Sequence, residues 1–250
     1  MNTIKPLFKK ENKLNLLAVG LNFIGNLFFT YCIIIALALI VFSSITIECS
    51  VVGPSIQPTL NADLKAGNDI VYVNKLDRDF SYGDIIVIEV SENKDPLIKR
   101  VIGVGGDIID IVLTDTGYKL EINGKLIEED YLNIDYNQDP QFGNGNATSY
   151  DNFKVGNVIE KSMLEKYPEL FIDVEVNGEN VKKLLVPDGQ IFALGDNRHV
   201  SRDSTYYGTF KESQIDGTVE RIRYASTSAF AFYWDYIVGG EFFKTIFNCF

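Results

Sequence analysis

The sequence predicts a mainly β protein carried on one N-terminal membrane-spanning helix, with an antiparallel β-rich domain after it. Three observations lead there. No charged residue occurs between Lys13 and Glu48. Beyond that run the apolar period switches to two, in short segments separated by turn residues. And 46% hydrophobic against 23% charged residues over 250 positions allows one sizeable core or two modest ones.

The first element is the span. Residues 27–47, from Leu27-Phe28-Phe29 to Ile45-Thr46-Ile47, contain neither Gly nor Pro and are almost wholly apolar. About 20 such residues cross the hydrocarbon core as a helix. Small residues of a cleavage site should follow a removable leader, but here Ser44-Ile45-Thr46-Ile47-Glu48-Cys49 closes the run, so an uncleaved anchor is expected. Residues 1–26, with Asn22 and Gly25, are too polar for a second span and read as a basic, interfacial approach. Lys5, Lys9, Lys10 and Lys13 stand there against Glu11, so the net charge of −11 is concentrated beyond the anchor. Positive flanks stay cytoplasmic, which predicts an extracytoplasmic domain in a single-pass cell-membrane protein in contact with lipid. So acidic a domain offers nucleic acid no basic face.

Strands are expected at Asp69–Lys75, Ile85–Val90, Leu97–Val104, Ile108–Leu113 and Tyr118–Ile122, the last closed by the hairpin signal Asn123-Gly124. From about 130 to 157 the composition turns to Asn, Gln, Gly, Asp and Ser, which predicts a polar surface insertion with too little apolar residue to pack alone. Asn146-Ala147-Thr148 within it is a short match to a glycosylation sequon, to which we give no weight. A short helix is expected at Ser162–Tyr167, and strands return at Phe171–Val176, Leu184–Val186 and Gln190–Leu194. The β-rich domain is therefore placed at 48–225. Residues 226–250 form an aromatic tail containing Phe230, Phe232, Tyr233 and Trp234. That tail fits packing on the β domain and immersion in the lipid interface equally well.

Cys32, Cys49 and Cys249 make no disulfide framework. A Cys49–Cys249 bridge is conceivable, but unpaired thiols are the simpler expectation. One histidine and three scattered cysteines offer no metal-ligand cluster, and no cofactor is expected.

Two segments carry chemistry. Ser55 opens Gly53-Pro54-Ser55-Ile56-Gln57-Pro58-Thr59-Leu60, just beyond the anchor, and Lys99 sits in Leu97-Ile98-Lys99-Arg100-Val101. A serine hydroxyl needs a base to take its proton. A lysine can serve when desolvation lowers its pKa, and apolar neighbours supply that setting. In a strand, Lys99 and Arg100 point to opposite faces, which lets one be buried while the other pairs with an acid. Ser-Lys pairs are a known variant of the serine triad. The only histidine, His199, is the alternative base.

These segments resemble the bacterial type I signal peptidases. Gly53–Leu60 is similar to the family's nucleophile motif G-x-S-M-x-P-T-L, and Asp69–Lys75 to its D-I-V-x-V-x-K strand. Gly83–Val87 resembles G-D-I-V-V, Lys99–Asp107 resembles K-R-V-I-G-x-P-G-D, and Val186–Gly189 with Gly195–Ser204 resembles the closing V-P-x-G … G-D-N-R-x-x-S-x-D-S. The resemblance implies a membrane-anchored antiparallel β domain acting as a serine endopeptidase that removes signal peptides from exported preproteins. The cut would follow small residues at −1 and −3. It implies Ser55 as nucleophile, Lys99 as general base, Ser201 as the hydroxyl orienting the amine, and Asp203 as a structural acid pairing with Arg100. The backbone N–H of Ser55 would be an oxyanion donor. His199 falls on an unspecified position of the closing block. The sequence departs from the pattern at Ile56 (for Met), Gly53 (Ser in some members), Gly105 (for Pro) and Thr205 (often Arg). The last of these removes a partner for Asp203. The alternative is a signal-peptidase-like assembly factor for surface structures in which catalysis is dispensable; retention of Ser55 and Lys99 speaks for the enzyme. A self-cleaving repressor is opposed by the anchor and the acidic charge.

Overall fold

The computed structural model describes residues 7–62, 66–91, 95–115, 117–132, 163–198 and 200–238. The chain divides into two compact units, residues 1–45 and 46–250. Helix α1, Leu7–Ile45, belongs to the first. It runs without a break through the stretch read as an interfacial approach. Within it, the 24 residues Ala18–Val41 are long and apolar enough to cross a membrane. Their large apolar side chains, Phe28 and Ile34 among them, are exposed, as lipid-facing residues must be.

The second unit is mainly antiparallel β. A seven-stranded sheet has the order β1-β2-β12-β3-β4-β10-β11, and a five-stranded sheet the order β7-β6-β5-β9-β8. The strands are β1 Thr46–Ser50, β2 Ile70–Asn74, β3 Ile85–Ile88, β4 Leu97–Val104, β5 Ile108–Thr114, β6 Gly117–Ile122, β7 Lys125–Leu126, β8 Phe171–Val176, β9 Glu179–Leu185, β10 Gln190–Leu194, β11 Phe210–Lys211 and β12 Ile215–Arg223. Short helices α2 (Leu164–Lys166) and α3 (Ser204–Tyr207), the longer α4 (Ala229–Val238) and 3-10 turns at Pro168–Leu170 and Glu212–Gln214 complete the described elements.

The Asn123-Gly124 signal makes the turn it predicts: both residues adopt positive φ, 51° and 77°, as a tight primed hairpin turn requires. Strand β12 went unrecognised in the sequence although it lies inside the larger sheet, between β2 and β3. Register shifts between Ile215 and Gly217 and between Val219 and Arg221 break its alternation. A side chain at Gly217 would lie 2.0 Å from the Asn74 carbonyl oxygen, so only glycine lets β12 pass so close.

Ile102, Phe192 and Leu194 of the large sheet pack with Ile109, Ile111, Leu120 and Leu184 of the small one. The opposite side of β4 and β10 presents Val101, Ile191 and Ala193 to Phe80, Phe210 and Ile215. A third cluster joins Val51, Ile56 and Leu60 to Val71, Val73 and Val87, and this one seats the Ser55 loop.

The aromatic tail divides. Phe232 stacks on Tyr72 with centroids 5.3 Å apart, and the Arg221 guanidinium lies 4.5 Å from the Phe232 ring. The Tyr233 and Tyr72 hydroxyls are 2.9 Å apart, while Phe230 is exposed. Cys32 and Cys49 carry free thiols. Cys249, His199 and residues 133–162, which include most of the polar insertion and its Asn146 sequon, lie outside the described residues.

Candidate active site

Ser55 stands at the start of a helical turn in which Gln57 N–H donates to the Pro54 carbonyl and Leu60 N–H to that of Ile56. Ile56 and Leu60, each 1% exposed, drive the turn into the core, leaving Ser55 half-buried on the rim. Gly53 enters it at φ 88°, a conformation costly for the serine some signal peptidases carry there. Asn61 locks the exit. Its side chain donates to the Val51 carbonyl and accepts from Asp69 N–H, and its own N–H donates to the Asp69 carboxylate.

Lys99 lies inside the large sheet, paired with Ile86 of β3, and is 2% exposed. Its Nζ is 3.1 Å from Ser55 Oγ and 2.9 Å from the Ile98 carbonyl oxygen. Burial strips water from the ammonium and lowers its pKa from 10.5 to about 8; the carboxylates of Asp203 and Asp196 oppose that fall without reversing it. The two residues from the separated motifs therefore meet, with the amine tuned toward proton exchange near neutral pH.

The other site residues correct the sequence reading in part. Arg100 does not pair with Asp203. Its Nε and one terminal nitrogen grip both oxygens of Asp196, at 2.9 and 2.7 Å, and that carboxylate is fully buried. The same guanidinium donates to the Gly83 carbonyl, and Thr59 donates to Asp196 at 2.5 Å. Both Lys99 and Arg100 are buried, so facing opposite ways does not expose either. Asp203 instead accepts from Gly195 N–H at 3.0 Å and caps α3 through Thr205 N–H and the Thr205 hydroxyl. Thr205 therefore replaces the expected arginine as a partner rather than leaving a gap. The Ser201 hydroxyl is buried and has no hydrogen-bond partner among the described residues, so in this geometry it does not reach the amine. The signal for Asp196 was already present in the Gly195-Asp196-Asn197-Arg198 block; what the sequence could not tell was which of two nearby acids reaches Arg100.

Gly195–Arg198 and Ser201 frame Ser55. Asn197 N–H donates to the Ser55 carbonyl at 3.1 Å, and Ser201 N–H to the Asn197 carbonyl at 3.1 Å. A Cβ at Gly195 would fall 2.2 Å from Ser201 Oγ and 2.3 Å from the Ser55 carbonyl oxygen. The loop thus presses bare backbone against the serine. Among the described residues no group of three or more His, Cys, Asp or Glu could hold a metal ion.

The chain is similar to several known proteins. A family model described as "Signal peptidase, peptidase S26" matches residues 24–224. Signal peptidase I of Bacillus caldolyticus is 36% identical over 216 residues, 82% of this chain and 91% of that protein. Signal peptidase I of Streptococcus pneumoniae serotype 4 is 33% identical over 222 residues, 87% and 93% of the two chains. Signal peptidase IB of Staphylococcus aureus (strain COL) is 31% identical over 167 residues, 67% and 72% of the two chains.

Proposed function

Because the chain belongs to the signal peptidase family, peptidase S26, we propose that it cleaves exported preproteins with Ser55 as nucleophile and Lys99 as general base. The observation that carries the assignment is the buried Lys99 Nζ, 3.1 Å from Ser55 Oγ. In its neutral form the amine offers one lone pair and two N–H donors. The lone pair takes the Ser55 proton as Oγ attacks the scissile carbonyl. One N–H is held by the Ile98 carbonyl. The buried Ser201 hydroxyl, which has no hydrogen-bond partner among the described residues, is the group we assign to the other. The oxyanion that forms is stabilised by the Ser55 backbone N–H.

The resulting lysine ammonium gives its proton to the departing amine, releasing the mature chain and leaving the signal peptide esterified to Ser55. Water then enters, gives a proton to the neutral amine and attacks the ester carbonyl; the ammonium returns the proton to the departing Ser55 Oγ, and the signal peptide leaves with a free carboxyl end. Residues with small side chains at −1 and −3 are the substrate class that the family assignment brings. The helix containing Ala18–Val41 anchors the enzyme. The basic Lys5–Lys13 flank sets its amino end inside and the β domain outside. The assembly-factor reading is not favoured, since the relatives are named signal peptidases and the dyad is intact.

The test incubates the detergent-solubilised full chain with a secretory precursor and sequences the new N-terminus. The expected product starts after a small residue and disappears with Ser55→Ala. Cleavage that persists in Ser55→Ala would overturn the assignment.

A further inference from the structure

Between the hairpin β6–β7 and the polar insertion, residues 127–132 reach back to the loop that frames Ser55. Ile127 and Leu132 pack on the buried core between the sheets, and Leu132 N–H donates to the Glu129 carbonyl. With both ends anchored, the turn projects Glu129 and Tyr131. The Glu129 carboxylate, 5% exposed, accepts from Arg198 at 2.7 Å, and the Arg198 side chain is fully buried. Arg198 Nε donates at 2.9 Å to the Gly195 carbonyl. The Tyr131 hydroxyl donates to the same Glu129 oxygen at 2.5 Å. Its ring covers the Arg100 guanidinium, 4.0 Å from the centroid.

The Gly195 peptide is therefore pinned from two sides. Asp203 takes its N–H, and Arg198, itself held by Glu129, takes its oxygen. A Cβ on Gly195 would collide with the Ser55 carbonyl and the Ser201 hydroxyl. A buried ion pair seldom stabilises a fold more than an apolar pair of the same volume. A guanidinium fork, however, can hold a carboxylate and a carbonyl at a fixed angle, which an apolar side chain cannot.

We propose that Glu129 and Tyr131 are positioning residues for the Ser55–Lys99 pair, setting the Gly195 peptide through Arg198 and holding the Arg100–Asp196 clamp under the tyrosine ring. This rests on the Ser-Lys reading above. Neither residue lies near any motif, and neither touches the reacting atoms. Their effect belongs in turnover rather than in substrate affinity.

The test uses the full chain in detergent and a signal-peptide substrate, with Ser55→Ala alongside. Glu129→Leu combined with Arg198→Met removes both charges at once, so the fold is kept while the Gly195 carbonyl loses its donor. We expect near-native melting, KM within about threefold, and kcat lowered roughly 10- to 100-fold, the loss that an ångström-scale misplacement brings. A folded double variant with native kcat, or one altered in KM alone, overturns the proposal. Should that pair fail to fold, Tyr131→Phe keeps the ring over Arg100 and removes one hydroxyl. It must then lower kcat about 2- to 10-fold, the worth of one hydrogen bond, and an unchanged kcat refutes it. If Ser55→Ala still cleaves, the Ser-Lys assignment fails; if it is dead while the double variant is fully active, only the positioning role fails.

Discussion

Replacing Lys99 by Met should make the protein more stable with respect to pH while destroying its activity. The amine is 2% exposed, and burial moves its pKa from 10.5 to about 8. At about 1.4 kcal/mol per unit, that depression represents on the order of 3 kcal/mol. Its sign follows from proton linkage. Below pH 8 the lysine is charged in both states, and the native state bears the full cost of burying it. Between about 8 and 10.5 the native state has released its proton and the unfolded state has not, so stability rises with pH. Above 10.5 the cost is gone. A methionine fills a similar volume and has no such titration. It forfeits the hydrogen bonds to Ser55 and Ile98, a loss roughly constant with pH, so the informative quantity is the change in the difference between the two proteins.

Thermal melts of wild type and Lys99→Met, run as pairs from pH 7 to 10.5, cancel every other titrating group. Wild type should gain on the variant by on the order of 3 kcal/mol, about 6–12 °C for a domain of this size. Wild-type kcat/KM should rise through the same pKa, near 8, because only the neutral amine accepts the serine proton. A melting difference that stays constant with pH would refute the desolvated-lysine reasoning. An activity limb near 6.5, the ordinary histidine value, would transfer the base role to His199.

Gly195→Ala should lower kcat about 100-fold with little change in KM, since the new methyl carbon would sit 2.3 Å from the Ser55 carbonyl oxygen; native turnover would show that the loop has room to yield. Arg100→Met leaves the fully buried Asp196 carboxylate without its counter-charge and should cost about 3–5 kcal/mol in chemical denaturation, whereas a neutral outcome would mean that water or Thr59 alone satisfies the acid. Protease added outside intact spheroplasts should digest residues 48–250, and protection of that region would reverse the proposed orientation.

Strands β2 to β6, β8 and β10 were readable from β-branched and aromatic runs between turn residues, whereas β9, Glu179–Leu185, was expected only at Leu184–Val186 because its first five residues are mostly polar. The exceptions have local causes. β1, Thr46–Ser50, directly continues the apolar anchor, so its pattern merged with the span. β12 carries two register shifts and the charged residues Asp216, Glu220, Arg221 and Arg223, so no period-two run survives. Ser55 and Lys99 were legible because each lies in a short motif whose own neighbours prepare its chemistry. Partner choice was not. Asp196 and Asp203 stand in one block, and only the closure of α3 on Thr205 shows which one turns away from Arg100. Glu129 and Tyr131 left no signal at all, because what matters about them is a return of the chain across the core.

The proposed mechanism requires Lys99 to stay basic enough to deprotonate serine and yet to shed its own proton. Two carboxylates lie close enough to raise the Lys99 pKa, and left bare they would hold the amine as a permanent ammonium. Asp196 is neutralised by the bidentate grip of Arg100 and the Thr59 hydroxyl. Asp203 spends its oxygens on the N–H groups of Gly195 and Thr205 and on the Thr205 hydroxyl. Asp203 thus fixes backbone next to Ser55 and Asp196 fixes the Arg100 and Thr59 side chains, while the charge of each acid is largely taken up by nearer donors. Desolvation therefore remains the larger influence, and the amine settles near 8 rather than near its ordinary 10.5. Stripping either acid of its partners, without removing the acid, should therefore push the activity limb to higher pH, as Thr205→Val, which deletes one donor to Asp203, would show in a kcat/KM profile. A limb left in place would mean that Asp203 acts on the lysine through geometry alone.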